Sequence, residues 1–270
     1  MPLTMAMAGS VRLGCQTNAW RIQPGDFGQF LAVLDKVKGY RYDGFETGFR
    51  NVETRFAEAT AARAELAKRR LVFLGCHIFL LEYDKATSLP PADLVERVIT
   101  GAAALGAERV ILSGASVGAN RAAQKRKAEA LQRHGDLCRK AGLRGVAYHN
   151  HDREFVDGAG EIEALLADTA GGAVQLVMDA GHAWLARADV PAFFTKHAGR
   201  IDGMHLRDFQ DREQVPLGQG VFPLVALAGA VRARRWAGWV INEEERLNDV
   251  KPGDTAVGPA RKRMREVFGR

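Results

Sequence analysis

The chain has 270 residues, 47% of them hydrophobic, and a formal net charge of +6. This length and composition suit one large domain or two small ones with a substantial core, and no run approaches the roughly 18 consecutive apolar residues that a membrane span requires. The positive charge gathers in three basic runs that lie inside helical patterns and lack interleaved aromatic residues, at 124–127, 232–235 and 261–265. We therefore expect solvated helix faces, and neither a nucleic acid nor a membrane as a partner.

Short β-rich runs alternate with longer amphipathic stretches along the chain. Residues 1–10 lack the pattern of a secretory signal and are expected to form a short frayed tail. The predicted strands are Val11–Gln16, Asp43–Glu46, Leu71–His77, Arg109–Ser113, Arg144–His149, Val174–Asp179, Ile201–Leu206 and Trp239–Glu243. Helices are predicted near Phe27–Lys38, Val52–Arg69, Ala92–Ala104, Ala119–Ala141, Gly160–Asp168, Val190–His197 and Phe222–Arg235, with a last one after Pro252-Gly253-Asp254.

Eight strands that are each followed by a helix predict an α/β fold, a closed (β/α)8 TIM barrel. The alternative is a doubly wound open sheet, in which a glycine-rich phosphate turn commonly follows the first strand. Here that segment is Cys15-Gln16-Thr17-Asn18-Ala19 instead. No linker or composition break divides the chain, so residues 1–270 are expected to form a single domain.

The cysteines Cys15, Cys76 and Cys138 are odd in number and widely spaced, without a CxxC pair. This usage argues against a disulfide framework, and a reducing cytoplasm is the expected setting.

Residues able to bind a metal stand at the ends of the last four predicted strands: His149, Asp179, His205 and Glu243. The C-terminal ends of the strands of such a barrel meet at one mouth, where its active sites lie. Side chains alternate along a strand, so each of these residues shares a face with a small or apolar neighbour two positions earlier: Ala147, Val177, Gly203 and Ile241. The sequence therefore predicts one divalent metal ion, Mn²⁺ first, with Zn²⁺, Co²⁺, Fe²⁺ and Mg²⁺ open.

Several motifs resemble the xylose isomerase-like barrel superfamily, and most nearly its sugar (phosphate) isomerase/epimerase and inosose dehydratase branches. The similarity spans nearly the whole chain and is specific between Tyr148 and Glu245. The motifs are Gly44-Phe45-Glu46, Tyr148-His149-Asn150-His151-Asp152-Arg153-Glu154-Phe155, Met178-Asp179-Ala180-Gly181-His182-Ala183, Met204-His205-Leu206-Arg207-Asp208, Leu217-Gly218-Gln219-Gly220 and Gly238-Trp239-Val240-Ile241-Asn242-Glu243.

The resemblance implies that Asp179, His205 and Glu243 are metal ligands. Epimerases of this kind have a glutamate on the fifth strand, where this chain has His149-Asn150-His151 with Glu154 beyond. We expect His149 to be the fourth ligand, with His151 or Glu154 open as alternatives.

Other residues of the mouth are candidates for substrate contacts. The resemblance implies that His182 contacts a substrate hydroxyl, and Arg207 is expected to bind a substrate oxygen or phosphate. Glu46 and His77 end their strands at the same mouth and are further candidates. Trp184 is a candidate to wall a sugar ring.

The expected reaction begins when a base, with Glu243, His151 and Glu154 as candidates, removes a proton next to a metal-polarised carbonyl. The resulting metal-stabilised enediolate permits isomerisation, epimerisation or dehydration of a small sugar or polyol. We place isomerisation or epimerisation first, with a dehydratase of a keto-sugar or keto-inositol as the alternative. Resembling proteins are commonly dimers or tetramers, so a homo-oligomer is left open.

Two other functions remain alternatives at this point. An endonuclease IV-like DNA-repair enzyme has the same fold, but its three zinc ions need about nine ligands, and the predicted fourth strand supplies no histidine. A non-catalytic sugar-binding barrel would keep the mouth, but it would have no need of the acid and base residues.

Overall fold

The structure, a computed structural model, describes residues 11–244 and 251–269; the frayed tail expected at residues 1–10 lies outside this range, as does Glu245. Its strands, labelled in chain order, are β1 (Arg12–Gln16), β2 (Gly44–Gly48), β3 (Val72–Ile78), β4 (Arg109–Leu112), β5 (Val146–His149), β6 (Val174–Asp179), β7 (Ile201–Leu206), β8 (Asp208–Gln210), β9 (Glu213–Val215) and β10 (Trp239–Asn242). Its helices are α1 (Phe27–Gly39), α2 (Ala59–Ala67), α3 (Ala92–Leu105), α4 (Arg121–Lys140), α5 (Val156–Asp168), α6 (Ala180–Leu185), α7 (Val190–His197), α8 (Leu224–Ala233) and α9 (Gly253–Phe268).

Eight of these strands close into a parallel barrel in the order β1-β10-β7-β6-β5-β4-β3-β2. All eight predicted strands are present, and the predicted (β/α)8 barrel is confirmed. β6 and β7 are paired with Asp179 opposite His205, and β7 and β10 with His205 opposite Ile241. This register places Asp179 and His205 at one level of the barrel, whereas His149 pairs with Val177 and Glu243 lies two residues beyond Ile241.

The barrel interior is filled by apolar side chains from alternate strand positions. Two buried clusters occupy it, one of Leu74, Trp239 and Ile241 and the other of Ile111, Ala147 and Val177. Ala147, Val177 and Ile241 are the residues predicted to share a face with His149, Asp179 and Glu243. The predicted strand alternation is therefore correct, and it carries those polar residues to the mouth above a packed core.

The outer helices cover the barrel with apolar stripes. In α3 the buried positions recur every three or four residues, as a helix with one face on the core requires: Val95, Val98, Ile99, Ala102 and Leu105. The helix ends where Gly106 adopts a left-handed conformation with φ +86°, which glycine adopts without steric cost. No helix in the described ranges is both long and apolar enough to cross a bilayer.

One predicted helix is wrong over its first seven residues. The sequence predicts a helix over Val52–Arg69, but in residues 52–58 a short 3-10 helix, Glu53–Arg55, is flanked by turns, and the α-helix begins only at Ala59. These residues carry no side chain that caps the helix; at its N-cap, Glu58, no side-chain hydrogen bond forms.

The hairpin of β8 and β9 was not predicted from the sequence. It follows β7 directly, and its strands pair antiparallel. Asp208 at its base accepts hydrogen bonds through Oδ2 from the backbone N–H groups of Gly218 and Gly220, at 2.8 and 3.0 Å. A Cβ at Gly220 would lie 2.3 Å from Oδ1 of Asp208, so only glycine allows this close approach. The Leu217–Gly220 motif thus secures the hairpin to the mouth of the barrel.

Candidate active site

Four buried side chains converge at the C-terminal mouth of the barrel: His149, Asp179, His205 and Glu243. Each offers one ligand atom, and these atoms all lie within 4.8 Å of one another. Four ligand atoms that converge this closely could hold one ion after the side chains move somewhat closer together. The donors are two imidazoles and two carboxylates, a set that fits a divalent transition metal.

His205 lies between two carboxylates. Its Nδ1 is 2.6 Å from Oε2 of Glu243, and its Nε2 is 2.6 Å from Oε2 of Glu46. Burial lowers the pKa of His205, but the charges of Glu243 and Glu46 outweigh burial and raise this pKa to about 10. A carboxylate on the outer nitrogen of a ligating imidazole is the usual arrangement behind a metal ligand, so this observation supports the fit of a metal.

Glu46 is fully buried beneath the imidazole ring of His205. It does not line the cavity of the mouth. The structure therefore does not bring Glu46 to where a substrate hydroxyl would lie, and its contact is with His205 instead.

Arg207 holds the two carboxylates of the group. Its Nε donates to Oδ2 of Asp179 at 2.8 Å, and its Nη2 is 2.8 Å from Oε2 of Glu243. Burial raises the pKa of Asp179, but the neighbouring His182 and Arg207 outweigh it and lower the pKa to about 2. Arg207 and His205 likewise hold the pKa of Glu243 well below its usual value against the effect of burial. Both carboxylates are therefore ionised at neutral pH.

Backbone contacts fix Asp179 at the end of β6. Its Oδ1 accepts a hydrogen bond from the backbone N–H of His182 at 2.7 Å and so caps α6. Asn150 bonds to both backbone groups of Asp179, donating to its carbonyl oxygen at 3.1 Å and accepting from its N–H at 3.0 Å. Sequence reasoning gave Asn150 no role, although the residue lies between two histidines of the fifth-strand motif.

A cavity of about 630 Å³ opens above the four-residue group. His77, His151, His182 and Arg207 line it together with His149 and Glu243, so the structure brings most of the predicted substrate-binding residues to one space. Nε2 of His77 is 2.8 Å from Oγ of Ser113. The ring of His151 packs against those of His149 and His182, with centroids 5.4 and 5.1 Å apart.

His151 is neutral at neutral pH. Burial, followed by the nearby His182, lowers its pKa to about 4. A neutral imidazole facing a cavity can accept a proton.

Glu154 does not line this cavity. Its Oε1 accepts a hydrogen bond from the Tyr148 hydroxyl and lies 3.7 Å from Nζ of Lys127, while its Oε2 accepts from the backbone N–H of His151 at 2.8 Å. Lys127 also forms a buried ion pair with Glu161 at 2.8 Å. The solvated position predicted for Lys127 within its basic run is therefore wrong, and the structure places Glu154 in this buried cluster behind β5.

Trp184 also lies away from the cavity. Its ring stacks on Phe209, with centroids 5.9 Å apart and planes inclined by 14°. Phe209, and not Trp184, presents its side chain to the cavity.

Sequence reasoning missed two residues whose side-chain amides contact Glu243. Nδ2 of Asn18 donates to Oε1 of Glu243 at 2.6 Å. Nε2 of Gln214 donates to the backbone carbonyl oxygen of Glu243 at 2.8 Å, while Oε1 of Gln214 accepts from Nη1 of Arg207. Asn18 follows the first strand, so its position at the mouth was a usable signal. Gln214 belongs to the unpredicted hairpin, and no local pattern pointed to it.

A family model described as xylose isomerase-like TIM barrel matches residues 34–267 of the chain. Among curated relatives, the inosose dehydratase of Lacticaseibacillus casei is 27% identical over 141 residues, which are 45% of this chain and 47% of the relative. The chain thus spans about half the length of the curated relatives it matches.

Solved structures share the fold at low sequence identity. A sugar phosphate isomerase/epimerase from Parabacteroides distasonis superposes with a TM-score of 0.75 at 18% identity, covering 100% of both chains. An L-ribulose 3-epimerase superposes with a TM-score of 0.79 at 18% identity, covering 96% of this chain and 95% of its own. At these identities the similarity shows a shared fold.

Proposed function

The chain belongs to the xylose isomerase-like TIM-barrel family, and we propose that it is a divalent-metal-dependent enzyme that isomerises or epimerises a small sugar or sugar phosphate. The main support for this proposal is the position of the candidate metal-binding group. The buried group of two imidazoles and two carboxylates borders a cavity large enough for such a substrate.

His149, Asp179, His205 and Glu243 would hold the ion, and Mn²⁺ is the first candidate for this mixed nitrogen and oxygen set. A bound divalent ion acts as a Lewis acid on a substrate carbonyl. Glu46 accepts a hydrogen bond from His205 and so orients the ring. Arg207 keeps Asp179 and Glu243 in place through its contacts with both carboxylates.

His151 is the proposed base. It lines the cavity, and its lowered pKa leaves it neutral and ready to take a proton from the carbon next to the carbonyl. His182 and His77 line the same space and would bind substrate hydroxyls. Proton return to the opposite face of the same carbon gives an epimer, and return to the neighbouring carbon gives an isomer.

Dehydration is the second candidate, and the composition of the cavity wall favours it. Among the described residues, Glu243 is the one carboxylate that lines the cavity, and it belongs to the proposed ligand group. An exchange between two glutamates on opposite faces is therefore not supported. The adjacent rings of His151 and His182 could instead carry the abstracted proton to a departing β-hydroxyl, which leaves as water. The curated inosose dehydratases point the same way.

The experiment is hydrogen exchange in D₂O with the Mn²⁺-loaded protein and a panel of ketoses, ketose phosphates and keto-inositols, followed by NMR. We expect deuterium to enter the carbon next to the carbonyl, and the metal-stripped protein is the matched control. A new stereoisomer or an aldose would support the first candidate, and an enol or diketone product formed with loss of water would support the second. No exchange across the panel would contradict both and favour a sugar-binding protein.

A further inference from the structure

The cavity has two chemically different sides. The proposed ligand group comes from β5, β6, β7 and the end of β10, on one side of the barrel. Phe49 and Phe79, which directly follow β2 and β3, lie on the other side together with His77 and Arg50, and of the two rings Phe79 is exposed and Phe49 buried. Leu185 and Phe209 add further apolar surface to the lining. A substrate that fills the cavity therefore meets the ligand group at one end and the exposed ring of Phe79 at the other.

The size of the cavity exceeds what one sugar ring needs. Its volume of about 630 Å³ falls within the roughly 300–1,000 Å³ of pockets that enclose drug-sized ligands. A free monosaccharide held at the ligand group would leave Phe79 facing water, because Phe79 is exposed whereas Phe49 is buried. The apolar side is consequently available to a second group on the same substrate.

The apolar side lies close to the proposed base. The ring centroid of Phe79 is 5.7 Å from that of His151, so a substituent on a sugar whose C–H faces His151 would reach Phe79 directly. Phe79 is 53% exposed. An aryl substituent would cover this ring and remove its apolar surface from water.

Gly48 leaves room beside Phe49. It lines the cavity, and a Cβ added there would meet nothing within 4 Å. Its φ of −63° suits any residue, so neither backbone strain nor packing requires glycine here. The missing side chain instead keeps this side of the cavity open.

Three arginines line the cavity, Arg50, Arg207 and Arg212, and their contacts do not form a phosphate-binding site. The guanidinium of Arg50 lies over the ring of Phe49, 5.7 Å from its centre, and Arg212 donates to the carbonyl oxygen of Leu185 at 3.2 Å. Arg207 contacts Asp179 and Glu243. A phosphate would favour a bidentate arginine, and these three arginines already have protein partners.

We propose that the substrate is a glycoside of a keto-sugar whose aglycone is an aryl group, with the sugar at the ligand group and the aryl ring against Phe79, in the open space beside Gly48. This substrate class rests on the proposed function, because the sugar end is assigned to the site described there. In this substrate the group beside Phe79 is an aryl ring and not a second sugar or a phosphate.

Binding of unreactive glycosides tests the proposal without turnover. Isothermal titration of the Mn²⁺-loaded protein would compare 4-nitrophenyl β-D-glucoside with methyl β-D-glucoside, methyl β-cellobioside and glucose 6-phosphate. We expect the aryl glucoside to bind about tenfold or more tightly than the methyl glucoside, because the ring buries apolar surface. Equal affinity of the two glucosides, or tighter binding of the cellobioside or the phosphate, would overturn the proposal.

Three variants locate the effect. Phe79→Ala removes one face of the aryl site, and Gly48→Leu fills the open space beside Phe49, so each should abolish the preference for the aryl glucoside and leave methyl glucoside binding within about twofold. Leu81→Ala is the matched control, because Leu81 is 94% exposed on the same loop and does not line the cavity. An aryl preference that persists in both Phe79→Ala and Gly48→Leu would also overturn the proposal.

The two proposals fail in different ways. If free ketoses exchange deuterium but the aryl glucoside has no binding advantage, the substrate class is wrong and the proposed function stands. If the aryl glucoside binds preferentially but no ketose or aryl keto-glucoside exchanges deuterium, the cavity binds aryl glycosides and the proposed catalysis is wrong.

Discussion

Oε2 of Glu46 lies 2.6 Å from Nε2 of His205, on the side of the imidazole opposite Glu243. The contact joins β2 to β7 across the mouth of the barrel, and both residues are fully buried. Glu46 is therefore a positioning residue for His205. Its carboxylate orients the imidazole ring and increases the basicity of Nδ1, the atom that faces Glu243.

We expect Glu46→Gln to weaken metal binding by about 10- to 100-fold, as loss of such a supporting carboxylate typically does. The amide keeps the size of the side chain, so the fold should persist. Competition with a coloured chelator measures the affinity, and Glu129→Gln on the exposed face of α4 is the control. An unchanged affinity in Glu46→Gln would mean that Glu46 does not support a metal ligand.

Metal affinity should depend on pH through His205. The carboxylates of Glu243 and Glu46 raise the pKa of this residue against burial, to about 10, whereas an unperturbed histidine has a pKa of about 6.5. Between these values the folded, metal-free protein holds a proton that the unfolded chain has lost. The stabilisation from this proton is complete below about pH 6.5 and is lost as the pH rises through about 10.

A metal on Nδ1 must displace that proton. The affinity should therefore rise with pH within this window, by up to about tenfold per unit, with release of about one proton per ion. Titrations at about pH 6.5, 7.5 and 8.5, in two buffers with different ionisation enthalpies, measure both quantities. An affinity that is independent of pH would show that His205 does not bind the ion.

Neutral replacement of either carboxylate of the group should disable the site. Asp179→Asn keeps a residue that caps α6 well but removes the charge that Arg207 contacts, so we expect metal retention on gel filtration to be lost and Tm to fall. Glu243→Gln removes the charge of the second ligand carboxylate and should abolish turnover with the fold intact. Wild-type metal content in Asp179→Asn together with wild-type turnover in Glu243→Gln would contradict the site assignment.

His151 and Glu154 offer a direct comparison of base candidates. His151→Gln should lower turnover by about 10²- to 10⁴-fold, the usual contribution of a general base, with metal content unchanged. Glu154→Gln should leave turnover within a few-fold, because Glu154 lies behind β5. It should lower the free energy of unfolding by about 1–3 kcal/mol through its buried contacts. A large loss of turnover in Glu154→Gln together with near-normal turnover in His151→Gln would identify Glu154 as the base instead.

The strands and helices with a regular alternation of apolar and polar residues could be predicted from the sequence. Strand alternation placed Ala147 and Val177 inside the barrel and their partners His149 and Asp179 at the mouth. The β8–β9 hairpin carried no such signal. Its strands have three residues each, and its turn residues, Asp211 and Arg212, have φ of 50° and 69°. That conformation is usually marked by Asn-Gly or Asp-Gly, which this turn lacks.

The sequence did not show which way the side chains near the strand ends point, and this limited the prediction of the site. Glu46 and Glu154 both stand near the mouth in sequence, yet one turns under His205 and the other joins Lys127 behind β5. The direction of each depends on a partner from a distant element, and local patterns do not contain it. Assignments that follow from strand register alone, such as the meeting of Asp179 with His205, were predictable.

His149, Asp179, His205 and Glu243 are proposed to share one divalent ion. Saturating the purified protein with Mn²⁺, removing free metal by gel filtration and counting the bound ions per chain by mass spectrometry tests this site. We expect about one ion per chain. No retained ion would contradict the claim outright, and about three would contradict it in favour of a trinuclear site of the DNA-repair endonuclease kind.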